Sequence, residues 1–189
     1  MTMSTYNGLD IIAVTARRLC PRLLWEQIPY IAQAGIGKVM LREKDLSPDE
    51  YAPLAEKVCR ACEGCGVTLI IHHFTQTARA LGIKNIHLPL PELTEELCEE
   101  FDRVGTSIHS AEQLTAAQKL GADYVTAGHI FPTQSKEGLP PRGLAFLSDI
   151  CRRSPLPVYA IGGIDIDKLP FIALAGAFGA CMMSAAMRW

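Results

Sequence analysis

The sequence predicts an α/β protein that folds as one closed (β/α)8 barrel. Three observations support this fold class: eight short apolar runs recur along the chain, most of them are near-continuously apolar, and the segments between them carry helix signals. Such runs are typical of a parallel sheet whose faces are covered by helices. An open, doubly wound sheet with fewer strands is the alternative, since barrels usually need about 200 residues or more and this chain has 189.

Segments with helix signals separate the predicted strands. The strands cover residues 10–15, 38–41, 67–71, 85–88, 103–108, 124–127, 158–161 and 180–183. After the second strand, Ser47 is placed to cap a helix, Pro48 suits its first position and Glu50 can close a capping box. After the fifth strand, Ser110 opens a helix in the same way, and Gly121 is placed to end it in a left-handed conformation.

The end of the predicted barrel is short. Only residues 184–189 follow the eighth strand, so a very short C-terminal helix is expected. Pro53 and Pro170 fall inside predicted helices, and each is expected to kink its helix or delay its start. No low-complexity segment or shift in composition marks a boundary, which predicts a single domain over residues 1–189.

The charge balance argues against two classes of partner. The chain has 18 Lys and Arg against 20 Asp and Glu, so neither nucleic acid nor an anionic membrane surface is expected to bind it. No apolar run approaches the roughly 20 residues that span a bilayer. Residues 1–10 lack the basic start and apolar stretch of a signal peptide. These observations predict a cytoplasmic protein.

Two clusters of metal-ligand residue types are interpreted as structural. Cys59, Cys62 and Cys65 form C-x-x-C-x-x-C late in a predicted helix, without the fourth cysteine of a ferredoxin-type run, and are expected to be buried or half-buried reduced thiols. His72 and His73 are neighbours on a predicted strand, where successive side chains point to opposite faces. They are therefore not expected to share a metal ion, and no metal site is predicted.

A phosphate site is predicted where the seventh and eighth strands end. Gly162 and Gly163 follow the seventh strand, and Ser184 follows the eighth. Glycines let backbone N–H groups approach an anion, and barrels commonly bind phosphate at this place. The alternative is that the two glycines only form a tight turn.

The sixth strand leads into a candidate catalytic residue. His129 opens the irregular segment of residues 128–143, the longest in the chain. Residues at the C-terminal ends of barrel strands are typically catalytic, and imidazole can remove a proton and return it elsewhere near neutral pH. The alternative is a loop histidine bonded to backbone.

Other polar residues also fall at predicted strand ends. Arg42 and Lys44 after the second strand and Lys136 in the loop after the sixth would bring three cations to one mouth, suited to a phosphorylated substrate, or would be ordinary solvated surface. Ser107 and His109 alternate on the fifth strand and share a face. His87 lies within the fourth strand and is interpreted as an interior histidine.

Six sequence motifs together resemble the thiamin phosphate synthase and TenI superfamily. They are LREK at 41–44, IHL at 86–88, GTSIHS at 105–110, GADYVTAGHIFPTQSKEGLPPRG at 121–143, PVYAIGGI at 157–164 and GAFGACMMSA at 176–185. The resemblance runs from Asp10 to about Ala186. It implies a compact (β/α)8 TIM barrel, which removes the objection of length.

Within this superfamily, the synthase branch joins an aminopyrimidine pyrophosphate to a thiazole phosphate and uses magnesium held by aspartates. This chain has His73 where one of those aspartates is expected and at best Glu92 for another. Imidazole is a poor replacement for a carboxylate toward magnesium. The TenI branch is more similar, because its members carry Gly-His in the sixth loop, as at Gly128 and His129, and it implies a thiazole tautomerase that needs no cofactor.

The resemblance therefore implies a set of roles for residues at the barrel mouth. His129 is the catalytic residue and Gly162, Gly163 and Ser184 bind phosphate. The substrate-binding residues are Arg42, Lys44, Ser107, His109, Thr133, Ser135 and Lys136. The expected partners are a small phosphorylated thiazole substrate and a second copy in a homodimer. Retention of LREK keeps the magnesium-dependent synthase as the alternative, and a non-catalytic thiazole-phosphate-binding regulatory protein is a third hypothesis.

Overall fold

The computed structural model describes residue 6 and residues 8–189, and its eight strands close into one parallel barrel in chain order. The strands are β1 Asp10–Val14, β2 Lys38–Leu41, β3 Thr68–His72, β4 Asn85–Pro89, β5 Arg103–Ile108, β6 Tyr124–Gly128, β7 Val158–Ile161 and β8 Gly179–Met182. Each agrees with its predicted strand to within one residue at either end. The (β/α)8 TIM barrel is thus confirmed, and the open sheet is excluded because β1 pairs with β8.

Seven α-helices cover the outside of the barrel within the described residues. They are α1 Leu24–Gln33, α2 Pro48–Cys65, α3 Thr75–Ala80, α4 Glu95–Glu100, α5 Ala111–Lys119, α6 Gly143–Arg153 and α7 Leu169–Leu174. Alternate strand residues such as Ile11 and Val39 pack outward against these helices, while Ile12, Met40 and Tyr159 fill the barrel interior. Both faces of each strand are therefore buried, which explains why the strands are apolar throughout.

The predicted helix ends are confirmed at α2 and α5. Ser47 Oγ accepts from the Glu50 N–H at 3.4 Å, and the Glu50 carboxylate accepts from the Ser47 N–H at 2.9 Å, which completes the capping box. Ser110 Oγ accepts from the Gln113 N–H at 3.3 Å. Gly121 follows α5 with φ 85°, the left-handed conformation that its sequence position predicts.

A single 3-10 turn, Ala186–Arg188, takes the place of the very short helix expected after β8. The buried Gln27 of α1 holds this turn, because its amide donates to the Ala186 carbonyl at 3.0 Å and to the Trp189 carbonyl at 3.1 Å. A side chain of helix α1 thus anchors the segment that stands in place of an eighth helix. Pro170 lies in the first turn of α7, where it needs no N–H partner, whereas Pro53 lies inside α2.

The remaining sequence expectations concern thiols and membranes. Cys62 is buried and Cys59 and Cys65 are half-buried on α2, as expected; burial raises the pKa of the Cys62 thiol to about 12. No described helix has the length and apolarity to cross a bilayer. Residues 1–5 and 7, on which the expectation of no signal peptide partly rests, lie outside the described residues.

The N-terminal end of the barrel contains a cavity of about 140 Å³ beside a small ionic cluster. Lys38 pairs with Asp10, which also accepts a hydrogen bond from the Tyr159 hydroxyl at 2.5 Å. This end supports stability in barrels, whereas the chemistry lies at the opposite, C-terminal end of the strands.

Candidate active site

The C-terminal ends of the strands form one mouth, and the predicted site residues follow β2, β5, β6, β7 and β8 around it. His129 and Gly162 lie directly against each other. A Cβ built on Gly162 would lie 2.3 Å from the His129 Cβ, and one built on Gly163 would lie 2.4 Å from the Pro132 carbonyl oxygen. The glycines have φ 102° and 66°. Both space and backbone conformation therefore require glycine at these two positions.

Hydrogen bonds fasten the loop after β6 to these glycines. The Ile130 N–H donates to the Ile161 carbonyl, and the Phe131 N–H donates to the Gly162 carbonyl, both at 3.0 Å. Lys168 adds a side-chain bond, because its ammonium donates to the Gly163 carbonyl at 2.6 Å. The sequence patterns do not single out Lys168. Its position brings a cation to the glycine pair that is predicted to bind phosphate.

Within the described part of the chain, the His129 ring has one hydrogen-bond partner, the Leu139 carbonyl oxygen, at 3.3 Å from Nε2. A carbonyl oxygen only accepts, so Nε2 carries the proton. In the neutral ring, Nδ1 is then the unprotonated nitrogen. His129 is half-buried at the mouth, and Nδ1 is the atom that could accept a proton from a ligand there.

The loop between β6 and α6 has one ordered turn. Thr133 Oγ1 accepts from the Ser135 N–H at 3.4 Å at the start of the 3-10 turn Gln134–Lys136. At its base, the Arg142 N–H donates to the His129 carbonyl at 2.9 Å. Ser135 and Lys136 are exposed, as is Ser184 after β8. The loop is thus closed at its base and open to solvent at its tip.

His109 and Ser107 share the inner face of β5, as their alternation predicts. His109 Nδ1 lies 2.7 Å from the Gly128 carbonyl oxygen, and the His109 N–H donates to the Gln113 side chain at 2.6 Å. His109 therefore contacts the residue that precedes His129. Ser107 contacts the buried residues His87 and Thr126.

The three cations predicted at the mouth do converge. Burial lowers the pKa of Lys44, and repulsion from Arg42 and Lys136 lowers it further. Burial also lowers the pKa of Arg42, against the attraction of Glu43. The mouth therefore favours a ligand that brings negative charge.

An ionic network anchors the loop after β2. Glu43 is 4% exposed and accepts from the Arg17 N–H and guanidinium, each at 3.0 Å. Arg17 also donates to Asp45, and this hydrogen bond holds the pKa of the Asp45 carboxyl well below its usual range. The Arg42 N–H donates to Thr15 Oγ1 at 2.9 Å. These bonds tie the segment carrying Arg42 to the chain after β1.

Two histidines stack inside the barrel below these cations. His72 and His87 are both buried, with ring centroids 5.8 Å apart. Burial is the main reason that the pKa of His72 falls to about 2 and that of His87 to about 3. Both rings are therefore neutral at physiological pH. His87 is the interior histidine that the sequence predicts.

His73 points away from His72 and pairs with Glu92 across the loops after β3 and β4. Its Nδ1 lies 2.6 Å from Glu92 Oε2 beside a cavity of about 370 Å³ that Lys44 and Phe74 also line. These are the positions where the resemblance implies magnesium-binding aspartates. The residues present do not fit that ion. One of them is an imidazole, which is a poor magnesium ligand, and it already pairs with the only carboxylate of the two. Among the described residues, no three His, Cys, Asp or Glu side chains lie together as metal ligands would.

Sequence patterns miss the partners that connect these residues. Lys168 contacts Gly163, and Thr126 contacts Ser107. Tyr124 contacts the interior residue His87, which in turn contacts Ser107. Glu43, through Arg17, anchors the loop that carries Arg42. In the sequence, Tyr124 and Thr126 cannot be distinguished from ordinary strand residues. Only the registers between β4, β5 and β6 bring them to His87 and Ser107.

Glycines after β7, a serine after β8 and cations around one mouth are typical of barrels that hold a phosphorylated ligand. The family described as thiamine monophosphate synthase matches residues 11–186, and the chain belongs to this family. It is similar to a thiamine-phosphate synthase of Syntrophomonas wolfei, with 34% identity over 96% of this chain and 90% of the relative. It is also similar to a putative thiamine-phosphate synthase 2 of Aquifex aeolicus, with 33% identity over 89% of this chain and 92% of the relative.

A solved structure shows the same fold. The thiamine phosphate pyrophosphorylase from Pyrococcus furiosus superposes with a TM-score of 0.82 and 26% identity, over 96% of this chain and 89% of that one. The family expected from the motifs is thus confirmed.

Proposed function

We propose that this chain is an enzyme of thiamine biosynthesis that converts a carboxylated, non-aromatic thiazole phosphate into its aromatic tautomer. The observation that carries the proposal is the contact between His129 and Gly162. A phosphate ester held by Gly162, Gly163 and Ser184 has its ring within reach of the His129 imidazole. Binding the phosphate therefore also positions the ring carbon that loses its proton.

The reaction is a proton shift that leaves atoms and electrons balanced. His129 Nδ1 takes a proton from a ring carbon, and the electron pair of that C–H bond moves into the ring. The ring double bonds rearrange in turn, and the π pair of the exocyclic double bond is displaced onto the exocyclic carbon, which uses it to take the same proton back from Nδ1. The Nε2–H stays on the Leu139 carbonyl throughout and keeps the ring oriented. Such positioned acid–base work contributes about 10² to 10⁴ in rate, and aromaticity drives the equilibrium.

The cations at the mouth suit the second anionic group of this substrate. Lys136 lies in the loop that closes over His129, and it is near enough to Lys44 to depress the pKa of that ammonium. We assign the substrate carboxylate to Lys136 and the loop residues Thr133 and Ser135. Arg42 and Lys44 then balance the remaining negative charge.

The proposed reaction needs no metal and no organic cofactor. Proton transfer between two carbons through one imidazole involves no leaving group that a metal would have to stabilise. The pairing of His73 with Glu92 agrees with this, since it leaves no free carboxylate pair for magnesium. A homodimer and a cytoplasmic location stay predictions.

The second candidate is thiamine-phosphate synthase, the name that the relatives carry. Those names favour the synthase over the tautomerase. The retained Arg42 and Lys44 favour it too, because two converging cations suit a pyrophosphate. The residues at His73 and Glu92 favour the tautomerase, because departure of pyrophosphate is hard to assist without a well-held magnesium ion.

An NMR assay of purified protein separates these functions. The wild type, given the non-aromatic thiazole carboxylate phosphate in the presence of a chelator, should accelerate aromatisation. His129→Ala should lose about 10² or more of that rate with nearly unchanged phosphate affinity, whereas the control His73→Ala should keep it. No acceleration by the wild type, together with magnesium-dependent coupling of the pyrimidine and thiazole substrates, would establish the synthase instead. Tight binding without either turnover would establish a binding protein.

A further inference from the structure

The barrel interior contains a chain of polar side chains that ends at the mouth. Tyr124, His87 and Thr126 are each buried, and Ser107 is half-buried. The Tyr124 hydroxyl lies 3.2 Å from His87 Nδ1, and His87 Nε2 lies 2.9 Å from Ser107 Oγ. The Thr126 hydroxyl donates to Ser107 Oγ at 3.0 Å. Ser107 is thus the point at which this buried chain meets solvent.

Gly105 makes the chain geometrically feasible. It lies between His87 and Tyr124 in the register of β4, β5 and β6. A Cβ at this position would stand 2.0 Å from Tyr124 Cζ. The Tyr124 ring therefore crosses strand β5 where a side chain is missing, and its hydroxyl reaches a histidine two strands away.

The partners determine where the proton of His87 sits. Among the described residues, the Tyr124 hydroxyl has no hydrogen-bond partner other than His87 Nδ1. A buried O–H group needs an acceptor, so the tyrosine donates and Nδ1 accepts. Since burial keeps the imidazole neutral, with a pKa of about 3, the ring has one N–H, and this lies on Nε2.

The same reasoning fixes the role of the serine. Ser107 Oγ accepts from His87 Nε2–H and from the Thr126 hydroxyl, which fills both of its lone pairs. Among the described residues, the fully buried Thr126 hydroxyl has only Ser107 Oγ and, at 3.5 Å, His87 Nε2 as side-chain neighbours, and Nε2 carries a proton, so Thr126 donates to Ser107 and does not accept from it. The Ser107 O–H therefore has no acceptor among these buried groups. That O–H is therefore free to donate to a group in the mouth, and Ser107 has no lone pair left to accept from one.

We propose that Tyr124 and His87 are positioning residues that make Ser107 an obligate hydrogen-bond donor, and that the site thereby selects ligands with an acceptor facing β5. A carboxylate oxygen, a phosphate oxygen or an unprotonated ring nitrogen satisfies this condition, whereas an N–H or O–H group does not. The selection of a ligand rests on the proposed substrate site. The tautomer of His87 does not depend on it.

The tautomer is tested by nitrogen-15 NMR of the imidazole rings in the full chain. The His87 signals, assigned with His87→Gln, should show a neutral ring protonated at Nε2 at every pH from about 5 to 8. Tyr124→Phe keeps the ring that packs on Gly105 and removes only the donor, so His87 should then populate both tautomers. Tyr159→Phe is the matched control, because its hydroxyl bonds Asp10 at the other end of the barrel, and it should leave the His87 signals unchanged. A wild-type ring protonated at Nδ1 would overturn the proposal.

The consequence for binding is tested by a double-mutant cycle with the aromatic thiazole phosphate ester in calorimetry. Ser107→Ala and Tyr124→Phe should each weaken binding, by about tenfold and a few-fold respectively, and the double variant should be no weaker than Ser107→Ala alone. Additive losses would mean that Tyr124 acts on the fold and not through Ser107, and would overturn its positioning role. An ester that fails to bind the wild type at all would refute the proposed substrate site and the selection with it, while the NMR result still decides the tautomer.

Discussion

The imidazole of His109 donates from Nδ1 to the carbonyl oxygen of Gly128 at 2.7 Å, and so fixes the residue that leads into His129. The His109 backbone N–H donates to the Gln113 side chain at 2.6 Å, which holds this end of β5 in turn. The proposed proton-transfer residue is therefore oriented from both sides, by His109 before it and by Leu139 across its ring. Precise placement of a proton-transfer group accounts for a large part of the rate enhancement that the group provides.

His109→Leu should consequently lower kcat by about 10- to 100-fold and change KM little, because the glycines proposed to bind phosphate follow a different strand. His109→Asn should recover much of the rate, since its amide can donate where Nδ1 does. Steady-state kinetics on the thiazole substrate measure both. A rise in KM with unchanged kcat would instead place His109 in contact with the substrate.

Replacement of Gly162 by alanine should both destabilise the fold and abolish activity. The new Cβ would lie 2.3 Å from the His129 Cβ, and the backbone has φ 102°. Overlap and backbone strain together should cost about 2–4 kcal/mol in the free energy of unfolding. Gly82→Ala is the matched control, because Gly82 also has a positive φ, 67°, but nothing within 4 Å of its Cβ position; it should cost about 1 kcal/mol. Equal losses in the two variants by denaturant titration would refute the role of the contact.

Lys168 should contribute to phosphate affinity although it lies outside the motifs, in the segment between residues 164 and 176. Its ammonium donates to the Gly163 carbonyl at 2.6 Å and to Asp165 at 2.8 Å, and so both anchors the glycine pair and adds positive charge there. Lys168→Met should weaken inorganic phosphate binding by about tenfold, and Lys168→Arg should weaken it less. Calorimetric titration with phosphate compares them. Unchanged affinity in Lys168→Met would show that Lys168 takes no part in binding the anion.

The barrel can be predicted from the sequence because buried parallel strands leave a local signal. Each strand is apolar on both faces, and the caps at Ser47 and Ser110 bond residues that lie within four positions along the chain. The 3-10 turn after β8 is different, since its stability comes from Gln27, 159 residues away from the Ala186 carbonyl. No local pattern encodes such a partner.

The same limit applies to the candidate site. Local motifs place His129 and Gly162 at the correct strand ends, but their contact follows from the pairing of Gly128 with Ile161. The role of Tyr124 depends on a glycine in the neighbouring strand and a histidine 37 residues earlier. Residue types that carry chemistry can thus be recognised alone, whereas the groups that orient them become visible only with the register.

Acid should destabilise the protein through its two buried histidines. Burial lowers the pKa of His72 to about 2 and that of His87 to about 3, against an ordinary value of 6.5. Below about pH 6.5 the unfolded chain takes up a proton at each histidine that the folded protein does not. The free energy of unfolding should therefore fall as the pH decreases, by about 1.4 kcal/mol per pH unit for each group, until the folded pKa is reached.

Variants isolate this effect from that of the carboxylates. His72→Phe and His87→Gln should each reduce the slope of stability against pH by about 1.4 kcal/mol per unit between about pH 6 and 4. Urea titrations at several pH values measure the slope. A slope that is unchanged in both variants would mean that the histidines are protonated in the folded protein.

Magnesium should neither bind at the His73–Glu92 pair nor affect the proposed reaction. Nδ1 of His73 lies 2.6 Å from the Glu92 carboxylate, so a cation would have to displace this imidazole, which is itself a poor magnesium ligand.

His73→Asp should create a magnesium site, because two carboxylates would then face each other across the loops after β3 and β4. The backbone at residue 73 has φ 70°, a conformation in which Asp and Asn are among the better tolerated residues. His73→Asn is therefore the control, since it suits the backbone without adding a charge. Calorimetry should detect magnesium binding in His73→Asp alone, and a chelator should leave wild-type aromatisation unchanged. The contrary result would be stoichiometric magnesium binding by the wild type, with activity that is lost on chelation and restored by the ion. It would favour the synthase, because the departure of pyrophosphate requires the metal whereas the proton shift does not.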